Sequence, residues 1–466
     1  MAVQVADNSL DSFSLLAVSP LDGRYARETR ALQEYFSEFA LVRGRVRVEI
    51  AYLLALAQET GLVRPLAAEE ESRLRALAAN FSPADAAQIK EIERTTRHDV
   101  KAVEYFLRRA LADSPLADVI EWLHFGLTSE DVNLIAQAAA LREARQAALL
   151  PALDAILVRL SALARQYRSV PLLARTHGQA AVPTTLGKEL AVFLRRLQKQ
   201  RAVLAQHVFE AKLAGAVGNF NALVAAAPQV DWIAFSERFV RSYELQPNLA
   251  ATQLIPYDNW VAFFDALRLA NTLLIDFAQD MWRYISDDIL KSRVVAGEVG
   301  SSTMPQKVNP IDFENAEGNL GVANALLTYY AQKLPITRLQ RDLSDSTVRR
   351  TFGVAFGHSL LAYTNLARGL DRVDLNPAQV EADLESNWAV VAEGAQTILR
   401  AAGVRDAYEL LKGLTRGQAL SAAAYQEWIA SLAVEETVKT RLRALSPQSY
   451  IGLAEALVDR VLAENR

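Results

Sequence analysis

The sequence predicts an all-α protein of three helical domains, with a bundle of long helices at its centre. Good helix formers such as Ala, Leu, Glu, Arg and Gln dominate the 466 residues, and Gly and Pro stand between the helical segments. No convincing series alternates polar and apolar side chains with the period of two that a half-buried strand requires. No repeat of solenoid length occurs. A chain of this length predicts roughly three domains.

The lengths of the helical segments divide the chain. Short helical patterns follow one another up to Ser114-Pro115, and long helices fill the middle of the chain. Short helices separated by Pro and Gly return after Arg372. We therefore predict an N-terminal domain, a central long-helix domain and a C-terminal domain, which are residues 1–115, 116–372 and 373–466.

Six helical stretches can be bounded from the pattern. They are expected at about 28–60, 129–167, 184–213, 258–289, 310–333 and 346–372. Ser129 is the predicted N-cap of the second stretch, with Glu130 and Asp131 in its first turn. Pro151 is expected to bend that helix. A helix of about 28 residues is roughly 42 Å long, which exceeds what a compact domain requires.

The stretch VAFFDALRLANTLLIDFAQDMWRY, from Val261 to Tyr284, is apolar on most of its circumference and carries few charges. A helix of this kind must be buried on several sides. The economical arrangement is a bundle of long helices that continues across subunits.

Composition excludes several classes of function. The chain has 50 basic and 54 acidic side chains and a net charge of −4, which argues against a general nucleic-acid or membrane-surface binder. A few clustered Arg and Lys side chains would still suffice for an anionic small ligand. The absence of Cys excludes disulfides, thiolate metal sites and Cys nucleophiles. The five His are scattered without H-E-x-x-H spacing, so we expect no metal site.

The N-terminal residues do not resemble a targeting segment. They carry Asp7 and Asp11 and no basic residue before Arg24, so we expect neither a secretory nor a transit peptide. No uninterrupted apolar run reaches the length that spans a bilayer. We therefore expect a cytoplasmic protein without a membrane partner.

Two polar loops could carry chemistry. The first, GEVGSSTMPQKVNP, feeds a helix with Asn309 as its expected cap and Pro310 at its first position. Backbone N–H groups, the helix dipole and Lys307 could bind an anion there, although a solvated surface loop has the same composition. The second loop, RTHGQAAVPTT, places His177 in the break between two long helices, where a structural role is the alternative to acid or base catalysis.

Three further segments combine charge with a turn or a helix start. ERTTRHDVKAVEYFL opens a helix with Asp99 or Thr96 as the expected cap, and Arg97 and His98 lie beside it. VSPLDGRY is a turn, and RDLSDSTVRR leads into a helix. Capped, solvated charge clusters are the structural alternative. His124, His207 and His358 fall in helical patterns and are interpreted as packing or surface residues. No Walker, G-x-G-x-x-G or G-x-S-x-G motif occurs.

The loop GSSTMPQKVNP, Gly300 to Pro310, resembles the signature of the fumarase/aspartase superfamily. That signature has the general form G-S-S-x-M-P-x-K-x-N-P, and the loop matches it at every fixed position. The resemblance implies a helical homotetramer with a central bundle of long helices, in which each active site is built from three subunits.

Other stretches resemble one branch of the superfamily, the adenylosuccinate lyase family in its longer bacterial form. They are SPLDGRY, TTRHDVKAVEYFL, HFGLTSEDVN, RTHGQ, GNFNA, NPIDFENAEGNLG, RDLSDSTVRR and the C-terminal SYIG. The implied reaction is β-elimination of fumarate from adenylosuccinate, which gives AMP. The same site would cleave the succinylated aminoimidazole carboxamide ribotide (SAICAR) to AICAR. No cofactor is implied.

The resemblance also implies roles for individual residues. Ser301, the first Ser of the signature loop, is the expected general base, and His177 is the expected general acid. The residues expected to contact the phosphate and the purine base of the substrate are Arg24, Tyr25, Arg341, Ser346 and Arg350. The expected succinyl and ring contacts are His98, Asp99, Thr128, Ser129, Gln253, Ser302, Lys307 and Asn309, to which Arg97 is added as a ring or ribose contact.

Two residues depart from the pattern of the family. Gln306 stands where the relatives usually have His, and Arg97 stands where some carry Asn. Gln at the first position is more familiar in argininosuccinate lyase, which however usually follows its Lys with a second Lys rather than with Val308. We interpret Gln306 as tolerated variation.

Two alternative functions are weighed against this interpretation. The first is another lyase of the superfamily, argininosuccinate lyase above all, and the motifs DGRY and RDLSDST weigh against it. The second is a non-catalytic helical scaffold derived from a lyase. A scaffold predicts damage at Ser301, His177 or Lys307, and all three residues are intact.

Overall fold

The structure, a computed structural model, describes residues 12–294, 303–304, 306–415 and 420–464, and most of them are helical. In chain order the α-helices are α1 (Ser12–Leu16), α2 (Ala26–Thr29), α3 (Gln33–Phe36), α4 (Glu38–Glu59), α5 (Ala68–Ala79), α6 (Pro83–Thr96), α7 (Asp99–Ala112), α8 (Ser129–Ala144), α9 (Leu150–Gln166), α10 (Leu186–Gln206), α11 (Asn221–Ala226), α12 (Trp232–Ser242), α13 (Asp258–Ser286), α14 (Ile311–Lys333), α15 (Ser344–Arg349), α16 (Phe352–Leu370), α17 (Pro377–Glu385), α18 (Ala392–Ala401), α19 (Ala407–Thr415), α20 (Ala422–Ser431), α21 (Glu436–Arg443) and α22 (Ala454–Ala463). The predicted all-α class is confirmed.

Short strands are also present, although the sequence analysis predicted no strand series. They form three pairs, which are β1 (Pro171–Thr176) antiparallel to β2 (Gln179–Thr185), β3 (Glu210–Ala211) parallel to β4 (Gln246–Pro247), and β5 (Leu290–Ser292) antiparallel to β6 (Val373–Leu375). The strands of two or three residues, β3 to β6, offer no period to detect. In β1, the adjacent Leu172 and Leu173 are both buried, which breaks the alternation that marks a strand.

The chain folds into two compact units. The first contains Met1–Ala152, Gln200–Thr272 and Asn319–Ala362. The second contains Leu153–Lys199, Leu273–Gly318 and Tyr363–Arg466. The dividing points fall within five long helices, which are α9, α10, α13, α14 and α16. The three-domain division at residues 115 and 372 stays a prediction.

The core of the first unit contains a cluster of aromatic rings around the first half of α13. Trp260 and Phe264 are fully buried. The Phe264 ring lies 5.4 Å from the ring of Tyr330 and 5.1 Å from that of Phe352, and Trp260 lies 6.0 Å from Phe352. These rings come from α13, α14 and α16. The predicted burial of the apolar stretch on several sides is therefore confirmed for this half of the helix.

The second unit contains a smaller apolar core built from the C-terminal helices. Trp388, Tyr425 and Leu442 are among its buried members. The rings of Trp388 and Tyr425 lie 6.0 Å apart, and the Tyr425 hydroxyl donates a 3.2 Å hydrogen bond to the Leu442 carbonyl. A buried Tyr hydroxyl needs such a partner, so this bond fixes α20 against α21.

The first predicted helix, expected over 28–60, is interrupted. Ser37 has an extended backbone with ψ of 161°, and its Oγ accepts a 3.1 Å hydrogen bond from the Ala40 N–H. Ser37 is therefore the N-cap of a new helix, α4. The helical pattern alone did not show this restart.

The second predicted helix contains an irregular turn immediately before Pro151, and the bend expected at Pro151 stays a prediction. A π-helical segment, Arg145–Leu149, joins α8 to α9. Pro lacks an N–H group and its ring clashes with the carbonyl four residues earlier, and a wider π turn at that point accommodates the ring.

The helix α14 begins at Ile311, one residue after the expected Pro310, and the stretch expected over 346–372 is divided into α15 and α16.

One helical span, Ser129–Gln166, is long and apolar enough to cross a membrane by length and composition alone. The helix at the core of a soluble protein passes the same test. Glu130, Asp131 and Arg145 are buried in this span and carry charge, which fits a helix packed within protein.

The close approach of α10 to the end of α9 requires Gly187, and we predict that Gly187→Ala lowers stability. A Cβ at this position would lie 2.5 Å from the Ala164 carbonyl oxygen and 2.6 Å from the Arg168 Cα, so backbone must move. We expect the free energy of unfolding to fall by about 1–3 kcal/mol, measured by denaturant unfolding. Gly413→Ala is the control, because a Cβ there meets nothing within 4 Å. It should leave stability unchanged or slightly raised, and equal losses in both variants would contradict the prediction.

Candidate active site

The structure divides the predicted site residues between the two compact units. The first unit contains Arg24, Tyr25, Arg97, His98, Asp99, Thr128, Ser129, Gln253, Arg341, Ser346 and Arg350. The second unit contains His177, Lys307 and Asn309. Ser301 and Ser302 lie outside the described residues.

The start of α8 organises the site residues of the first unit. Thr128 is its N-cap, with an extended backbone, and the predicted cap Ser129 is instead the first helical residue. The Thr128 N–H donates a 2.8 Å hydrogen bond to the Asp131 carboxylate three residues later. This reciprocal bond satisfies a donor that the helix leaves unpaired, and it fixes the backbone of both predicted contact residues.

Asp131 also holds a loop that is distant in sequence. Its carboxylate accepts hydrogen bonds from the N–H groups of Ala214 and Gly215, at 2.9 and 3.1 Å. The ammonium of Lys212 lies 2.9 Å from Asp131 Oδ1, and both side chains are fully buried. Lys212 in turn donates a 2.6 Å hydrogen bond to the Gly215 carbonyl. The buried charge of Asp131 is therefore matched, and the turn at 214–215 is attached to α8.

Gln253 joins that loop to Arg341. Its Nε2 donates a 3.2 Å hydrogen bond to the carbonyl of Ala216, and its Oε1 accepts a 3.1 Å hydrogen bond from Arg341 Nη1. Two residues that the family resemblance implies as ligand contacts are therefore in direct contact.

Glu130 connects this pair to the buried charges of α15. Its carboxylate lies 2.9 Å from Arg341 Nη2 and 2.8 Å from Arg349 Nη2. Arg349 also pairs with Asp345 at 2.8 Å. Burial acts to raise the pKa of Glu130, but Arg349 and Arg341 outweigh it and hold the pKa below its usual value. Glu130 is therefore ionised at neutral pH.

Asp99 lies between two cations at the start of α7. It pairs with the buried Arg45 at 2.6 Å and with Arg350 at 3.6 Å. Burial acts to raise the pKa of Asp99, but Arg45 outweighs it and the pKa lies below its usual value. The N-cap of α7 is His98, whose Nδ1 accepts a 3.1 Å hydrogen bond from the Lys101 N–H. The prediction of Asp99 or Thr96 as the cap is therefore wrong.

Arg350 and Ser346 lie on the segment that carries α15. The Arg350 N–H donates a 3.3 Å hydrogen bond to the Ser346 carbonyl, and Arg350 Nη1 donates a 2.8 Å hydrogen bond to Glu38. Glu38 and Arg350 line a cavity of about 210 Å³. The same two residues also line a second cavity of about 380 Å³, which lies within the range of roughly 300–1,000 Å³ that is typical of ligand pockets.

The remaining site residues of the first unit stand at turns. Tyr25 follows a turn closed by its own N–H, which donates a 2.8 Å hydrogen bond to the Pro20 carbonyl. The Arg24 guanidinium carbon lies 5.7 Å from the Tyr25 ring centre. Arg97 ends α6 in the left-handed region, with φ of 56°, and its side chain is exposed.

His177 lies at the tip of the hairpin formed by β1 and β2. Thr176 pairs with Gln179, so His177 and Gly178 form a two-residue turn, with φ values of 53° and 74°. Both positive angles are those of a type I′ turn, in which Gly is favoured because it has no Cβ. The His177 side chain is exposed. The hairpin therefore presents the predicted acid at the end of a short rigid element rather than in an irregular break.

Lys307 and Asn309 precede α14. The Lys307 N–H donates a 3.0 Å hydrogen bond to the Met304 carbonyl, and the first backbone bonds of the helix are accepted by the Pro310 carbonyl. The Lys307 side chain is exposed. Across the described part of the chain, no group of three or more His, Asp or Glu side chains is arranged to hold a metal ion.

Comparison with known proteins adds to this geometry. A lyase family matches residues 23–324, and a family described as adenylosuccinate lyase C-terminal matches residues 337–451. The chain is 49% identical over 452 residues to an adenylosuccinate lyase of Vibrio cholerae, with 96% of this chain and 99% of the relative covered. It is 47% identical to an adenylosuccinate lyase of Dictyostelium discoideum, with 94% and 97% covered. The chain belongs to the adenylosuccinate lyase family.

Solved structures support the fold of this family member. The crystal structure of a fumarate lyase from Mesorhizobium sp. BNC1 matches with a TM-score of 0.74 at 18% identity, covering 93% of this chain and 97% of that one. A 3-carboxy-cis,cis-muconate lactonizing enzyme from Pseudomonas putida matches with a TM-score of 0.72 at 21% identity, covering 97% and 98%. At these identities the likeness shows the fold alone.

Sequence reasoning missed the residues that hold the site residues in place. Glu130 and Asp131 were assigned only to the first turn of α8, and Lys212 received no role. The oppositely charged partners of Glu130 and Asp131 lie more than 80 residues away along the chain, so no local pattern indicates these ion pairs. The only signal was the presence of two adjacent carboxylates at the start of a helix that is mostly apolar.

Of the three histidines that were predicted to lie in helices, only His358 does so. His358 lies in α16 and is buried, as predicted. His207 follows the end of α10. His124 lies in the connection before α8, with φ of 56°, and its Nδ1 is 2.6 Å from the fully buried Glu49. Burial acts to lower the pKa of His124, but Glu49 outweighs it and the pKa lies above 6.5.

We predict that Lys212→Met destabilises the protein strongly, because it leaves the buried Asp131 without its cation. Breaking a buried pair from one side costs about 3–5 kcal/mol. Lys412→Met is the matched control, because the pair of Lys412 with Glu409 is exposed and should contribute less than about 1 kcal/mol. Denaturant unfolding of both variants measures the difference. A loss in Lys212→Met no greater than in the control would contradict the role of this pair.

We also predict a pH dependence from His124 and Glu49. Because the pKa of His124 is raised in the folded state, the stabilisation by the charged pair is fully present below pH 6.5, the ordinary value, and is lost as pH rises through the folded-state pKa. The unfolding free energy of wild type minus that of Glu49→Gln should therefore be largest in mildly acidic solution and smaller in mildly alkaline solution. Unfolding titrations across this pH range measure it. The same difference for Glu70→Gln, whose partner is Arg64, should stay constant. If the difference in unfolding free energy between wild type and Glu49→Gln does not change with pH, the stabilising His124–Glu49 ion pair is contradicted.

Proposed function

We propose that this protein catalyses the β-elimination of fumarate from adenylosuccinate, giving AMP, and from SAICAR, giving AICAR. The observation that carries the proposal is similarity at 41–49% identity, over 94–96% of the chain, to proteins named adenylosuccinate lyase. The proposed reactions belong to purine nucleotide biosynthesis. We further place it in the cytoplasm.

The elimination requires three functions from the protein. A base removes a proton from the succinyl carbon next to a carboxylate, and the C–N bond then breaks with its electron pair moving to the departing nitrogen. An acid supplies a proton to that nitrogen, and a C=C bond forms in fumarate. Cationic or dipolar groups stabilise the charge that develops on the carboxylate.

We assign the base to Ser301, the acid to His177 and carboxylate stabilisation to Lys307 at the start of α14. A Ser hydroxyl is a poor base unless its alkoxide is stabilised, which a dry, closed loop near a cation and a helix N-terminus would do. The placement of His177 on a type I′ hairpin and the exposure of Lys307 leave both groups accessible to a substrate.

The substrate carries a phosphate and two carboxylates, and the assigned contacts match those charges. Arg24, Tyr25, Arg341, Ser346 and Arg350 are assigned to the phosphate and the purine side. The succinyl and ring contacts are assigned to His98, Asp99, Thr128, Ser129, Gln253, Ser302, Lys307 and Asn309, with Arg97 at the ring or ribose. Support comes from the contacts that link these residues. Gln253 bonds to Arg341, and Arg341 pairs with Glu130, which lies in the helix that Thr128 caps.

We propose that the active form is a homotetramer whose sites are shared between subunits. The long helices expose large apolar side chains, including Leu269 and Trp282 on α13, which are 43% and 42% exposed, and Val322 and Tyr329 on α14, at 46% and 50%. Large apolar side chains exposed along core helices are typical of surfaces that another chain covers.

Turnover of adenylosuccinate tests the function. Purified protein should release fumarate and AMP in equal amounts, followed by chromatography, and should leave argininosuccinate intact. Ser301→Ala and His177→Ala should each lower kcat by at least about 100-fold while the oligomer stays folded, because each removes one proton-transfer group. Near-normal turnover in either variant would refute its assignment, and cleavage of argininosuccinate alone would refute the substrate.

Subunit mixing tests the shared site. If a site takes Ser301 and His177 from different subunits, a mixture of Ser301→Ala and His177→Ala oligomers should regain activity after exchange, because some sites then contain both intact residues. Native mass spectrometry confirms the exchange, and each variant incubated alone is the control. Complete exchange without recovered activity would contradict a shared site.

A further inference from the structure

The anchoring of Arg341 goes beyond what the assigned contacts require. We propose that Glu130 is a positioning residue, which fixes the guanidinium of Arg341 so that its remaining N–H donors can bind the phosphate of the substrate in one geometry. The proposal rests on the proposed function, because it takes Arg341 as a phosphate contact. It assigns to Glu130 a role in discriminating ligands with a phosphate from ligands without one.

The contacts of Arg341 leave donors for a ligand. A guanidinium has five N–H donors. Gln253 accepts a 3.1 Å hydrogen bond from Arg341 Nη1, and the Glu130 carboxylate forms an ion pair with Nη2 at 2.9 Å. The side chain is 17% exposed, whereas that of Glu130 is fully buried. The guanidinium is therefore held on its protein side by these two contacts, and N–H donors on its terminal nitrogens remain for a ligand. Two donors from one planar group suit a phosphate.

Glu130 is itself fixed, which makes it a rigid anchor. Its second oxygen accepts a 2.8 Å hydrogen bond from Arg349, and its first accepts one of 2.8 Å from the amide of Asn133. Its backbone belongs to the first turn of α8. The carboxylate therefore has no freedom to follow Arg341 if that side chain moves, and Arg341 must adopt the position that Glu130 dictates.

Asp345 is the other carboxylate near Arg341, and the geometry assigns it a different role. Its Oδ1 lies 3.7 Å from Arg341 Nε, and neither of these buried atoms has a hydrogen-bond partner among the described residues. Asp345 instead bonds to Arg349 and lies 3.3 Å from the Tyr257 hydroxyl. Glu130 is therefore the carboxylate that holds Arg341.

The charges near Arg341 cancel, which makes orientation rather than attraction the contribution of Glu130. Two guanidinium groups, Arg341 and Arg349, face two carboxylates, Glu130 and Asp345. Removing the negative charge of Glu130 would make this group more positive, and simple attraction would then bind a phosphate more tightly. Positioning predicts the opposite, so a charge-removing variant distinguishes the two.

Direct binding of AMP and adenosine, measured by calorimetry, tests the proposal. In Glu130→Gln we expect the Kd of AMP to rise at least about tenfold, the size of one charged hydrogen bond, and that of adenosine to change by less than about threefold. Glu70→Gln is the matched control, because Glu70 accepts two 2.8 Å hydrogen bonds from Arg64 and has no assigned ligand. It should leave both Kd values unchanged.

A second variant keeps the test decisive if Glu130→Gln does not fold. Arg341→Lys retains the charge, but a single ammonium cannot keep both anchors and present two coplanar donors. We expect it to weaken AMP at least about tenfold and spare adenosine. The double variant should bind AMP no more weakly than Arg341→Lys alone, because Glu130 acts through Arg341.

Several results would overturn the proposal. They are unchanged or tighter AMP binding in folded Glu130→Gln, an equal loss for AMP and adenosine, wild-type AMP affinity in Arg341→Lys, or additive losses in the double variant. Turnover of adenylosuccinate by the wild type is measured separately. Its absence, together with phosphate-selective binding that depends on Glu130, would contradict the proposed reaction and leave the positioning role supported.

Discussion

The buried carboxylates of Glu130 and Asp131 are the constraint on which the site residues of the first unit depend. Neither side chain is exposed, so each charge must be compensated by neighbouring groups. Asp131 is compensated by Lys212 and by three backbone N–H groups, and Glu130 by Arg341 and Arg349. Because these partners come from separate parts of the chain, the first turn of α8 determines where each of those segments lies.

This arrangement favours specificity over stability. A buried ion pair gains little net stability, since desolvation cancels much of the attraction, but a missing partner is costly. Misplaced arrangements of the segments around α8 are therefore penalised, and a single arrangement is selected. These charges act locally, so the net charge of −4 on the whole chain does not describe the field around the start of α8.

The local backbone setting of several predicted site residues could be predicted because these residues occur in compact motifs. Thr128 and Ser129 lie at a helix start that the sequence predicts to within one residue, and Lys307 and Asn309 lie directly before another. The setting of His177 could not be predicted, because the hairpin that carries it contains adjacent buried leucines and Pro183 instead of an alternating pattern. The predicted N-cap of α7 was also wrong. His98 caps this helix through Nδ1, and helix-capping preferences rarely assign that role to His.

The sequence by itself determined the helical class, the approximate length of α13 and the burial of its first half, the exclusion of cysteine chemistry and the family to which the chain belongs. These properties follow from composition, local periodicity and contiguous motifs, which require no knowledge of distant contacts. Only the tertiary structure decided that Glu130 and Asp131 are anchors, that Gln253 contacts Arg341 and that Asp99 lies between Arg45 and Arg350. Such pairings join residues tens to hundreds of positions apart, and burial alone makes them obligatory, so no local pattern records them.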